Sequence, residues 1–66
     1  MKLNKKVLIC AMIDANMNNK ELSQASGVSI ARISNARNNN NITYETGCKI
    51  AKALSVPIQE LIDFEE

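Results

Sequence analysis

Met17-Asn18-Asn19-Lys20-Glu21-Leu22-Ser23-Gln24-Ala25-Ser26-Gly27-Val28-Ser29-Ile30-Ala31-Arg32-Ile33-Ser34 is the stretch whose reading decides the fold. Asn18 or Asn19 can cap a helix start, because a short side-chain acceptor satisfies one of the first turn's orphaned amides. Glu21, Leu22 and Ala25 continue that helix, and Gly27 closes it where positive φ carries little cost. Ser29 caps a second helix that runs to about Arg37 with Ile33 and Ala36 turned inward. Two helices crossing at a wide angle through so short a turn need a small residue where they touch, which suits Ser23.

Outward from this pair the apolar residues keep helical spacing in short blocks separated by turn signals. Upstream, Asn4 to Ala15 carries Leu8, Ala11, Met12 and Ala15 on one face, and Asn16 tolerates the left-handed conformation that ends many helices. Downstream, the run Asn38-Asn39-Asn40-Asn41 favours turn over helix. Thr43 then caps a fourth helix carrying Tyr44, Cys48, Ala51 and Leu54. Pro57 stands in the first turn of a fifth, with Ile58, Leu61 and Ile62. The pattern predicts an all-α fold of five short helices in one domain, residues 1–66, with the paired helices at about 18–37.

Sixty-six residues leave room for no second domain. The chain is 45% hydrophobic with two aromatic residues, Tyr44 and Phe64, so its core is aliphatic. No apolar run approaches membrane-span length, and no cleavage-site pattern follows Lys2, Lys5 and Lys6. Cys10 and Cys48 read as buried or half-buried free thiols, and without histidine they complete no zinc site. No cofactor or metal is expected, and with no nucleophile signature or phosphate loop the chain reads as no enzyme. The net charge of +1 hides an asymmetry. Residues 1–38 hold six basic against two acidic side chains, whereas residues 39–66 hold two against five. A polyanion would meet the first part and avoid the second.

The quoted stretch resembles the helix-turn-helix of the Cro/cI-type family of phage-repressor-like DNA-binding domains. Met17, Asn18, Glu21-Leu22, Ser23, Gly27, Val28, Ser29 and Ile33 carry the likeness. Lys49-Ile50-Ala51-Lys52-Ala53-Leu54-Ser55-Val56 and Glu60-Leu61-Ile62 look like the family's fourth and fifth helices. The resemblance implies a lambda-repressor-like domain whose third helix enters the major groove at its start. By position, Ser29, Ile30, Ala31, Arg32 and Asn35 would read base edges. Arg32 can fork onto guanine, Asn35 can pair with adenine, and Ile30 or Ala31 can touch a thymine methyl. With Ile33 inward, the 100° helical step turns Ala31, Ser34, Asn35 and Asn38 outward, with Ile30 and Arg32 flanking. Ile30 therefore has a packing alternative, and Arg32 a phosphate one. Backbone contacts fall to Asn18, Asn19 and Lys20 at the second helix's start, and to Ser34, Arg37, Asn38 and Asn40 on the other side.

The sequence departs from the family pattern at three places. Met12 and Arg37 stand where members commonly pair a basic residue with Glu, so Arg37 is expected to be released toward phosphate. Gly47 stands where an aliphatic residue is common, so the fourth helix is expected to be weak or closely approached there. Ile9 and Ile13 exceed what the first helix's core face needs, and with Ile58, Ile62 and Phe64 they are the interface candidates. The expected function is a small Cro-like repressor of phage, prophage or mobile-element type, in bacterial cytoplasm with the nucleoid. Its partners would be a near-palindromic double-stranded operator and a second copy of the chain, with no membrane. Little chain follows the fifth helix, so regulation would come from concentration and site competition. The alternative is an antirepressor or antitoxin-like module that binds a second regulator protein.

Overall fold

The computed structural model describes residues 1–62, and Phe64 lies outside them. The elements run α1 Lys5–Asp14, α2 Asn19–Ser26, α3 Ile30–Arg37, α4 Tyr44–Leu54 and α5 Ile58–Leu61. Apart from one isolated bridge between Leu3 and Ile62, the described residues are helix and turn. None of their helices is long and apolar enough to cross a membrane.

Each of the first four helices starts on a side-chain cap. The carbonyl oxygens of Asn4 and Asn18 and the hydroxyls of Ser29 and Thr43 accept from Val7, Glu21, Arg32 and Thr46 amides at 3.1, 2.8, 3.3 and 3.1 Å. At α2 the cap is reciprocal, because the Asn18 amide donates to Glu21 Oε1 at 3.1 Å. Gly27 ends α2 at φ 75°, and its amide returns to the Ser23 carbonyl. Asn16, Asn39 and Ser55 take the same left-handed conformation without glycine, at φ 57°, 60° and 58°.

Leu8, Met12, Leu22, Val28, Ile33, Ala36, Ile50, Leu54 and Leu61 form the aliphatic core under the paired helices. Ala25, read as part of the second helix, is exposed on it. Of the residues by which the sequence marks α4, two are not on its buried face. Tyr44 is 62% exposed and Cys48 half-buried, while Thr46, Gly47, Ile50, Ala51 and Leu54 turn inward. The stripe passes through Gly47 because a missing side chain makes room there. A Cβ on Gly47 would meet the Met1 methyl, with Ile58 Cδ1 at 3.4 Å and Ile42 Cδ1 at 3.6 Å. The expected close approach is therefore made by the chain's own first residue. Pro57 is the N-cap of α5, one position earlier than the first turn. Cys10 and Cys48 are free thiols, but Cys10 is exposed, because it sits on the α1 flank that Leu8, Ala11 and Met12 leave outside.

Residues 1–4 form an extended strap. Met1 and Ile42 exchange backbone hydrogen bonds at 2.9 and 2.8 Å, and the Asn4 amide donates to the Leu61 carbonyl at 2.6 Å. The strap carries Leu3 into the core with no exposed surface and ties the asparagine loop to the C-terminal end of the fold. With α1, α4 and α5 held in this way, α3 is left on the outside.

Candidate functional site

The first turn of α3 projects from the molecule. Ser29, Ile30, Ala31, Arg32 and Asn35 are all exposed, while Ile33 and Ala36 on the opposite side are fully buried. Ile30, whose helical angle left it between core and surface, is 49% exposed and open to a partner. Ser29 Oγ accepts from the Arg32 amide, so its hydroxyl hydrogen is left to donate outward. Arg32 and Asn35 share a notch of 490 Å³ with Asn41, Ile42, Thr43 and Thr46. The two side chains able to make bidentate base contacts thus face the same space, across from the α3–α4 loop.

At the other end of α3 three helix termini meet. Lys5 from α1, Asn19 from α2 and Ser34, Arg37 and Asn38 from α3 line a second notch, of 290 Å³, floored in part by Ile9. Asn18, Lys20, Asn38 and Asn40 are exposed, whereas Asn19 and Ser34 are half-buried. Ser34 is less outward than the helical wheel suggests, because α1 crosses beside it. Arg37 is not released. It is half-buried, its guanidinium Nη1 donates to Asn19 Oδ1 at 2.6 Å, and its Nε is buried without a hydrogen-bond partner. At the start of the asparagine run the Asn38 and Asn40 amides fold back onto the Ser34 and Asn35 carbonyls.

Charge is arranged to match. Lys5 lies beside Arg37 at the end of α3 and Arg32 is exposed near its start, whereas Asp14 and Glu60 line a separate concavity of 680 Å³ with Lys6, Val7, Cys10, Met17 and Val56. Glu21 is occupied in the α2 cap, and Glu45 pairs with Lys49 at 3.4 Å on the exposed side of α4. The face of α3 is therefore cationic and amide-rich, with no carboxylate on it. Such a surface favours a polyanion and offers it donors in fixed positions.

Of the interface candidates, Ile13 is 70% exposed. Ile9 floors the second notch, Ile58 packs on the core beside Gly47, and Ile62 bridges to Leu3. Lys5 was not picked out by the sequence, because nothing in its local pattern says that α1 begins beside the end of α3. A family model described as Cro/C1-type HTH DNA-binding domain matches residues 8–66. No curated protein and no solved structure matches the chain significantly.

Proposed function

The chain belongs to the Cro/C1-type helix-turn-helix DNA-binding family, and from this we propose that it is a sequence-specific transcriptional regulator, a small Cro-like repressor of phage, prophage or mobile-element type. It reads the major groove of double-stranded DNA with α3. The observation that carries this reading is the uncovered Arg32–Asn35 face, which no other part of the described chain occupies.

Arg32 forks onto guanine O6 and N7, Asn35 pairs with adenine N6 and N7, and Ile30 and Ala31 meet thymine methyls. The Ser29 hydroxyl donates at the groove edge. Phosphates on one strand sit at the start of α2, on its free amides and on Asn18, Asn19 and Lys20. Ser34, Asn38 and Lys5 line one notch with Asn19 and meet the adjoining phosphates, with Asn40 in the loop beyond. Two copies on a near-palindromic operator, with half-sites about one helical turn apart, double these contacts. Such a protein works in the bacterial cytoplasm, at the nucleoid.

The phosphate set is mostly amides, which bind without releasing counterions. Lys5 and Lys20 give a slope of log affinity against log salt of about −1.8 per protomer, at about −0.9 per neutralised phosphate. Selection from a random duplex pool, followed by salt titration on the enriched sequence, tests the proposal. An enriched inverted repeat bound with this shallow slope supports it. Uniform weak binding to every duplex refutes it and favours a module that binds another regulator.

A further inference from the structure

We propose that Arg37 is a positioning residue: with Asn19 it forms a clamp that sets the angle between α2 and α3 and orients the Asn19 amide, and it is not itself a phosphate ligand. The inference rests on the DNA-binding reading above for its consequence, though not for the clamp itself.

The geometry of the two helices calls for such a part. α2 and α3 are eight residues each and meet at one end, through Gly27-Val28-Ser29. Each is about 12 Å long at ~1.5 Å per residue. The junction alone fixes their crossing angle poorly, since an opening of about 1 Å at the far ends is a rotation of about 5° for helices of this length. Leu22, Val28, Ile33 and Ala36 fill the space between and below the helices. The far ends are joined by Arg37 Nη1 donating to Asn19 Oδ1, from the last residue of α3 to the first of α2. The turn and this bond close a triangle.

The same contact makes Arg37 a poor phosphate ligand. Two-pronged recognition of a phosphate uses two neighbouring guanidinium N–H groups. Here Nε is buried, which removes the side-on fork, and one Nη1 hydrogen is committed to Asn19, which ties the end-on pair to the clamp. The bond also fixes Asn19. With Oδ1 accepting from Arg37, the Asn19 amide hydrogens are left to donate away from the clamp, at the first residue of α2, where a phosphate would bind.

The test uses the full chain with its selected duplex. Losing one hydrogen bond to a charged group weakens binding about tenfold in Arg37→Met. The salt slope stays at the wild-type value, and Asn19→Ala with Arg37→Met binds no more weakly than the worse single variant. A slope flattened by about 0.9, the signature of one lost phosphate contact, overturns the proposal, as do single effects that multiply in the double variant. Arg37→Gln, milder at a half-buried position, supplies the slope where Arg37→Met fails to fold. A DNA-free measurement keeps the clamp separate from the functional reading. Asn19→Asp gives Arg37 a carboxylate partner and raises the melting temperature more with Arg37 present than beside Arg37→Met or Arg37→Gln. An equal rise in both backgrounds is the helix-dipole effect alone and refutes the clamp. If the wild-type chain reads no duplex, the functional proposal falls and this arm alone decides the clamp.

Discussion

Replacing Gly27 by alanine isolates the backbone demand of the helix-turn-helix from its packing. Gly27 holds φ 75° and ψ 12°, and a Cβ built on it has nothing within 4 Å. The added methyl therefore meets no neighbour, and the cost is confined to holding an L-residue in the left-handed region, about 1–2 kcal/mol. A chain of this length has roughly 3–10 kcal/mol of stability in all, so the loss is a large share of it. It corresponds to a fall in melting temperature of about 4–8 °C per kcal/mol. Urea denaturation should show a lower midpoint with an unchanged slope, because the surface exposed on unfolding does not change. Gly27→Asn should lose less, since asparagine tolerates this conformation. Once folded, Gly27→Ala should bind DNA as the wild type does. An unchanged midpoint would mean that the turn is not left-handed in solution. A loss above about 4 kcal/mol would mean that the turn is packed against something, contrary to the open space around it.

Gly47→Ala should behave in the opposite way: it gains up to about 1 kcal/mol of helix propensity. The atom in its way is the end of the flexible Met1 side chain, so the urea midpoint should hold or rise. A clear fall would show that the strap cannot yield. Arg32→Ala and Asn35→Ala should each cost about 1–3 kcal/mol in binding to the selected operator. Non-specific binding and the melting temperature should stay nearly unchanged, because both side chains are exposed, and parallel losses on all duplexes would count against base reading. The Tyr44 phenol should titrate above its ordinary value of about 10, as followed by tyrosinate absorbance. Its side-chain hydrogen bond with Cys48 and the thiolate charge beside it both favour the neutral phenol. Any stability from this contact is therefore present below about pH 10 and lost as pH rises through the folded-state value. Cys48→Ala should return the titration to the ordinary range, and no change on that substitution would remove Cys48 as the cause.

Much of the fold was legible in the sequence because its signals are local. Asn18, Ser29 and Thr43 stand where an acceptor side chain meets the third amide of a helix, and each caps as its type suggests. Asn16 and Gly27 end their helices in the left-handed conformation for equally local reasons. The α4 face was not legible because Tyr44 supplies hydrophobic character without burial, while the Gly47 position, which accepts its neighbours, carries no hydrophobic signal at all. Leu3 was missed as core because a two-residue approach to a bridge is too short to show periodicity. At the site, the outward set of α3 follows from the helical step once Ile33 is known to be inward. The Arg37–Asn19 bond, 18 residues apart, and the position of Lys5 could not be read in this way. They depend on how three helix ends converge, which no single segment encodes.

The claim that the outward face of α3 lies in the major groove is tested most directly by methylation interference on the selected operator. Methyl groups on guanine N7 stand in the major groove and those on adenine N3 in the minor groove. The expected result is that N7 methylation in each half-site blocks binding, that adenine N3 methylation does not, and that Arg32→Ala loses sensitivity at one guanine per half-site. Interference confined to adenine N3, or an unchanged pattern in Arg32→Ala, would contradict it.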